Sequence, residues 1–207
     1  MTIIRTYFPE LTNLQLQQLD SLHALYSEWN SKINVISRKD MDFFFERHVL
    51  HSLAISKVIS FQDGTSILDV GTGGGFPGIP LSILFPKCHF CLLDSIGKKI
   101  KVVREVSNSL NLTNVRAVHS RVENIDDDFE FVVSRAVTSM PQFLTWIEPR
   151  FSSSQKNSLP NGVLYLKGGD LSKEMSQVKQ THQSFNLSNF FEEPFFETKK
   201  VVYVQMV

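Results

Sequence analysis

Four glycines within five residues, Gly71, Gly73, Gly74 and Gly75, follow a short apolar run (Ile67, Leu68, Val70) that carries Asp69. Glycine tolerates positive φ and lets backbone approach a ligand closely. An apolar helical pattern resumes at Ile79, so the loop feeds a helix whose first N–H groups can face whatever the loop holds. Residues of these types in this order form a cradle for a nucleotide-type ligand. The dinucleotide fingerprint G-x-G-x-x-G fails from Gly71, because its sixth position is Phe76, and matches formally only from Gly73 to Gly78. That second register moves the tight turn off the strand end and sets Pro77 where a helix should already run.

Other residues could do chemistry. Asp94 ends the next apolar run (Phe90, Leu92, Leu93), where folds of this kind hold ribose hydroxyls. Arg135 follows a further run, and a guanidinium matches a carboxylate or a guanine edge bidentately. Glu123 opens an acidic stretch that also reads as a solvated surface. Between Gly97 and Arg121, Lys98, Lys99, Lys101, Arg104, Arg116 and Arg121 face one acid, Glu105. Such a stretch suits phosphates or simply a solvated helix face. Overall, 21 basic and 21 acidic side chains cancel, so global charge decides nothing about nucleic acid.

No metal is expected. Cys88 and Cys91 form C-x-x-C, but residues three apart in a strand point to opposite faces, and no second pair completes four ligands. His48 and His51 share a helical face, and two ligands are too few. Packing or RNA contact is the better reading of both. The run Phe43-Phe44-Phe45 reads chiefly as core.

The elements that must position these residues follow from periodicity. Residues 1–62 read as a helical N-terminal extension packed on a main domain at 63–207. Thr12 and Gln15 make a capping box, Leu19, Leu22, Tyr26 and Trp29 recur at helical spacing, and a second helix is expected over about 41–59. Strands are expected near 66–70, 89–94, 115–119, 130–134 and 162–167, with helices near 79–85, 97–110, 138–148 and 171–183. The alternation implies a mostly parallel sheet covered on both faces. Apolar runs near 187–196 and 200–206 are expected to pair as an antiparallel hairpin at the sheet edge. The N-terminus lacks the apolar core of a signal peptide, and no stretch nears the roughly 18 apolar residues of a membrane span. A cytoplasmic protein is expected.

An acid two residues before G-x-G-x-G, with such a hairpin ending, is the pattern of class I S-adenosylmethionine (AdoMet) methyltransferases: a Rossmann-like α/β fold with a seven-stranded sheet. More specifically, the chain resembles the bacterial small-subunit rRNA methyltransferase G, or glucose-inhibited division protein B, family. The matching stretches are Trp29-Asn30 with Asn34, Arg47-His48 with Ser52, Asp69 through Pro80, Leu92 through Lys99, Ser120 through Glu123, Ser134-Arg135-Ala136 and Leu166-Lys167-Gly168. Together they span nearly the whole chain in the family's order.

The resemblance implies AdoMet-dependent methylation of N7 of a guanine in small-subunit rRNA, with S-adenosylhomocysteine as product. It implies cofactor contacts at Gly71, Gly73, Phe76, Asp94, Val122 and Glu123, with the latter pair flanking adenine. Arg135 would touch the cofactor or the target base, as a positioning or charge-stabilising group rather than a general base. Lys98, Lys101, Arg121, Lys167 and His48 are the candidate RNA contacts. The implied partner is small-subunit rRNA, free or in the assembled or assembling subunit; the sequence leaves the oligomeric state open, with a monomer favoured. The family commonly has Asp where this chain has His51.

The residues themselves agree with N7. Enzymes that methylate amines place Asp or Asn before Pro-Pro and an aromatic after strand four, where this chain reads Ser134-Arg135-Ala136-Val137. Cytosine C5 methylation needs a cysteine in the later loops, where there is none. Guanine N7 has a free lone pair and no proton to lose, so it needs alignment and electrostatics rather than a base. The alternatives are a small-molecule AdoMet methyltransferase and a non-catalytic nucleotide-binding Rossmann-like module.

Overall fold

The computed structural model describes residues 1–207, apart from the side chains of Arg38 and Pro149. Its centre is a seven-stranded sheet in the order β3-β2-β1-β4-β5-β7-β6. The strands are β1 (Ser66–Val70), β2 (His89–Asp94), β3 (Val115–His119), β4 (Phe131–Arg135), β5 (Gly162–Gly168), β6 (His182–Asn186) and β7 (Lys199–Gln205). The first five run parallel, and β7 pairs antiparallel with both β5 and β6. The expected Rossmann-like sheet with its terminal hairpin is therefore present.

Side-chain alternation sorts the strands onto two cores. Ile67, Phe90, Leu92, Phe131, Val133 and Leu164 pack under helices α5 (Gly78–Leu84) and α6 (Gly97–Ser109). Leu68, Val70, Leu93, Val132 and Tyr165 pack under α7 (Met140–Ile147) and the short α8 (Ser172–Met175). Cys88 belongs to the first core and Cys91 to the second, so the two thiols part as strand geometry requires. Cys88 stands one residue before β2 rather than in it.

The N-terminal 62 residues supply α1 (Thr2–Tyr7), α2 (Asn13–Lys32), α3 (Arg38–Met41) and a helical stretch from Phe45 to Lys57. Thr12 and Gln15 form the capping box at the start of α2. Leu19, Leu22, Tyr26, Leu50 and Leu53 are fully buried in the first core together with strand residues. This segment thus completes one face of the sheet.

Three expectations are corrected. The single helix over 41–59 is composite: a π turn (Phe45–Leu50), then α4 (His51–Leu53), then a 3₁₀ turn (Ala54–Lys57). The helix over 171–183 stops at Met175, because the chain must turn back to start β6 at His182. The hairpin's first strand is β6, not 187–196. Residues 187–196 instead form 3₁₀ turns that bury Leu187, Phe191 and Phe196 in the first core, so an apolar run there meant packing rather than pairing.

Candidate functional site

β1 ends at Val70, and the glycine loop follows, tied by one buried carboxylate. Asp69 Oδ2 accepts from Thr72 Oγ1 at 2.6 Å and from the Gly78 N–H at 2.8 Å, joining the strand end to the start of α5. Burial pushes the Asp69 carboxyl up to about 7, against those two hydrogen bonds.

The four glycines divide their work. Gly71 (φ +69°) lies against Val137, which leaves no room for a Cβ. Gly73 (φ +60°) has open space at the Cβ position, and its N–H donates to Asp94 Oδ2 at 2.9 Å. Gly74 and Gly75 are pressed from above by the N-terminal segment, with Val35 over one and the Tyr26 hydroxyl over the other. That hydroxyl donates to the Gly74 carbonyl. Two glycines thus admit a roof rather than a ligand.

A cleft of about 340 Å³ opens at the carboxyl ends of β1, β2 and β4, within the size range of ligand sites. Gly71, Asp94, Val122 and Glu123, four of the residues named from sequence as candidate cofactor contacts, line it, together with Ile96, Lys99 and Trp146, which were not among those candidates. Asp94 is nearly buried, and its Oδ1 accepts from the Ile96 N–H at 2.8 Å, so the carboxylate is held in place. A hinged glycine, an oriented carboxylate and flanking apolar side chains suit AdoMet: hydroxyls for Asp94, a flat ring between Ile96 and Val122.

Three expected cofactor residues do not line the cleft: Gly73, which reaches it only through its N–H on Asp94, and Phe76 and Arg135, which stand elsewhere. Phe76 is buried among Tyr26, Phe44 and His48, with ring centroids 4.8, 5.9 and 5.2 Å away, and does not line the cleft. A phenylalanine after a glycine loop can serve either the ligand or the core. The roof of α2 decides for the core. Arg135 also turns away from the cleft. Its Nη1 donates to the Arg47 carbonyl at 3.0 Å, its Nη2 to His48 Nδ1 at 3.0 Å, and its guanidinium lies 5.3 Å from the Phe76 ring centre.

Arg135 instead lines a second cavity of about 560 Å³, with Asp40, Arg47, His48, His51, Lys167, Phe195 and Lys199. The two cavities share Ala136, a residue with positive φ (+55°) at the end of β4. The Tyr165 hydroxyl holds the loop that follows, accepting from the N–H groups of Val137 and Thr138 at 2.9 Å each and donating to the Thr138 carbonyl at 3.0 Å.

Electrostatics on this second wall are unusual. Arg135 can only donate, so His48 Nδ1 carries no proton and the neutral ring keeps its proton on Nε2. Burial, then the Arg135 charge, lowers His48 to about 3. His51 is pushed well below its ordinary value by the same causes. Arg135 itself is lowered to about 10 by burial, partly offset by Asp69. Asp40 is held below the usual carboxylate range by hydrogen bonds from Ser37 and Arg47, the latter at 2.9 Å.

The basic candidates scatter. Lys98 and Lys101 are exposed on α6, Lys101 lying 5.9 Å from the Trp29 ring, and Arg121 is exposed at the cleft rim. Lys167 is not free for phosphate: it pairs with Glu174 at 2.7 Å and donates to the Thr138 carbonyl at 2.7 Å. Among the described residues, no cluster of three metal-ligating side chains occurs.

Comparison with known proteins agrees with this geometry. Solved structures that superpose include an AdoMet-dependent methyltransferase from Aquifex aeolicus (TM-score 0.58, 14% identity, covering 83% of this chain and 100% of that one). A precorrin-6y methyltransferase from Geobacter metallireducens superposes with TM-score 0.54 at 14% identity, covering 84% and 92%. At such identities the likeness is one of fold. Sequence relatives are nearer. Ribosomal RNA small subunit methyltransferase G of Cytophaga hutchinsonii is 58% identical over 99% of both chains. The protein of the same name from Bacteroides thetaiotaomicron is 53% identical over 100% of both. A family model described as rRNA small subunit methyltransferase G matches residues 15–200. With the glycine cradle, the oriented Asp94 and the Arg135 wall all inside the matched span, the chain belongs to the rRNA small subunit methyltransferase G family.

Proposed function

We propose that this protein transfers a methyl group from AdoMet to N7 of a guanine in small-subunit rRNA. The observation that carries the reading is family membership over essentially the whole chain, with a cofactor-sized cleft at the sheet's carboxyl ends. AdoMet, when bound, supplies an electrophilic methyl group on a sulfonium. Asp94 would hold its ribose hydroxyls, Ile96 and Val122 would enclose the adenine, and Glu123 would edge it. Gly71 keeps the strand end bare of side chain, so that backbone lines the cleft.

Methylation at N7 fits the second cavity's electrostatics. The carboxylate there, Asp40, is already engaged by Ser37 and Arg47 and is a poor proton acceptor. The N7 lone pair is free and asks for none, so alignment carries the catalysis. Arg135 acts by fixing the β4 end against the helical stretch that bears Arg47 and His48. Lys98, Lys101 and Arg121 face solvent as candidate phosphate contacts. Residues 1–62 act as an extension that roofs the cradle in a cytoplasmic monomer, working on rRNA in the small subunit. Among the described residues no helix is long and apolar enough to cross a membrane.

The test supplies tritiated AdoMet and purified protein to small subunits from a strain lacking this modification. The product is mapped by borohydride–aniline cleavage, which reports 7-methylguanine. A single labelled guanine is expected. No transfer to subunits or free rRNA, despite AdoMet binding, would sink the rRNA reading and turn the search to small molecules.

A further inference from the structure

The rim of the second cavity carries alternating rings and cations drawn from three segments. The Arg47 guanidinium lies 4.0 Å from the centre of the Phe43 ring and 5.7 Å from that of Phe195, and Lys199 Nζ lies 4.9 Å from the Phe195 ring. Local structure sets the first step. The Arg47 N–H donates to the Phe43 carbonyl at 2.8 Å, so the two side chains stand one helical turn apart on one face. Tertiary structure sets the others, because Phe195 comes from a 3₁₀ turn (Pro194–Phe196) and Lys199 opens β7. The ladder runs Phe43, Arg47, Phe195, Lys199, and its last three members line the cavity itself.

Folding alone explains this arrangement poorly. Phe43 is 46% exposed while its neighbour Phe44 is buried, and cation–ring contacts in solvent add little stability. Arg47 fixes the Phe43 ring without covering it. The cations are not used up either. Asp40 engages Arg47 through Nη1 alone, and the Arg47 side chain stays 32% exposed. Among the described residues, no carboxylate stands within salt-bridge distance of Lys199. Asp42 and Glu46 line a separate groove with Ile3 and His23, and neither lines the second cavity. Fixed rings interleaved with available cations suit single-stranded RNA, whose bases stack and whose phosphates take the charge. A partner helix or a lipid surface would ask for a continuous apolar strip instead.

Resting on the function proposed above, we infer that this rim is the landing surface for single-stranded rRNA beside the target guanine. A base stacks on Phe43, and backbone phosphates meet Arg47 and Lys199. RNA laid along the ladder reaches the cavity that shares Ala136 with the cofactor cleft, so the strand is led toward the methyl donor. The surface is distinct from the α6 face that bears Lys98 and Lys101, neither of which borders this cavity.

The test measures binding of labelled, unmodified rRNA, both protein-free and within small subunits, over a series of salt concentrations. AdoMet affinity and melting temperature are followed in the same proteins. Phe43→Ala is expected to weaken rRNA binding about tenfold with the salt slope unchanged, and Phe43→Trp to stay within about threefold of wild type. Lys199→Met is expected to make the log–log salt slope shallower by about 0.7, the share of one single-strand phosphate, and Lys199→Arg to restore it. AdoMet affinity stays within about twofold in all of them, because neither residue lines the cofactor cleft. Should Phe43→Ala melt early, the Lys199 pair decides alone. Wild-type binding and salt slope in Phe43→Ala and Lys199→Met, with loss confined to a Lys98→Met, Lys101→Met double variant or seen nowhere, overturns the inference. Equal weakening by Phe43→Trp and Phe43→Ala overturns it as well. A loss with assembled subunits but not with free rRNA assigns the rim to a ribosomal protein and also overturns it. Failure of the wild type to bind rRNA or to label a guanine overturns the function itself, a result distinguishable from any of the variants'.

Discussion

The two cavities that meet at Ala136 are built in opposite ways. The cofactor cleft is lined by strand ends and the loops just after them, with Asp94 ending β2 and Val122 and Glu123 following β3 at short range. The second cavity draws Asp40 and His51 from the N-terminal segment, Arg135 from β4, Phe195 from the 3₁₀ turn before the last strand and Lys199 from the start of that strand. One is carried by the sheet's chain order, the other by how three distant segments dock. A local motif can encode the first. The second exists only when the N-terminal segment is seated, and its wall is held by Arg135 bonding across 88 residues to Arg47.

That difference predicts separable defects. The largest belongs to Arg135→Ala, which leaves His48 Nδ1 and the Arg47 carbonyl without their donor. Methyl transfer should fall about 100-fold while AdoMet affinity changes less than about threefold, since the lost contacts lie off the cofactor cleft. Isothermal titration beside single-turnover transfer checks this, and an equal loss of cofactor binding would erase the distinction between the cavities.

Tyr165→Phe attacks the hinge between them. It removes a hydroxyl with three backbone partners and should cost about 2 kcal/mol in urea unfolding. Both cofactor binding and transfer should weaken, because the loop after Ala136 borders both sites. A variant as stable as wild type would show that the loop holds itself.

Asp94→Ala is the cofactor-side counterpart of Arg135→Ala. It takes the acceptor from the Gly73 and Ile96 N–H groups and should weaken AdoMet about tenfold, with affinity for RNA unchanged. Filter binding of labelled rRNA at fixed salt separates the two.

The smallest effect is on pH dependence. His48, lowered to about 3 by burial and Arg135, stays neutral in the fold, while the unfolded chain takes up a proton below about 6.5. Its stability contribution is complete above that value and is lost as pH falls toward about 3. His51 acts in the same direction. Asp69, raised to about 7, opposes them: the fold keeps a proton that the unfolded chain gives up near 3.8, so this contribution falls as pH rises through that window. His48→Asn, which keeps an acceptor near Nδ1, should flatten the loss of stability between pH 7 and 5 by at most about 1.4 kcal/mol per pH unit. Asp69→Asn should steepen it. Urea unfolding at three pH values decides, and profiles parallel to wild type would remove the neutral His48 from the account.

Much of the molecule was legible in its periodicity because the evidence there is local. The β1 to β5 spans, the glycine loop and the capping box at Thr12 depend on neighbours within a few residues. The misreadings share one cause. Phe76 and the apolar residues of 187–196 announce burial without saying against what. Lys167 announces charge but not its partner, which is Glu174. The roles of Gly74 and Gly75 were equally hidden, since Tyr26 and Val35 reach them only through the docking of α2.

By itself, then, the chain's order of residues determined the sheet, the cradle and the family, because side-chain alternation and glycine conformations act over a few residues at a time. Only the tertiary structure decided that Arg135 faces His48 rather than the cofactor cleft, and that His51 stands unpartnered at a cavity wall. Those facts depend on contacts between segments far apart in sequence. Burial and neighbouring charge, which exist only after folding, set the protonation that gives the two histidines their chemistry.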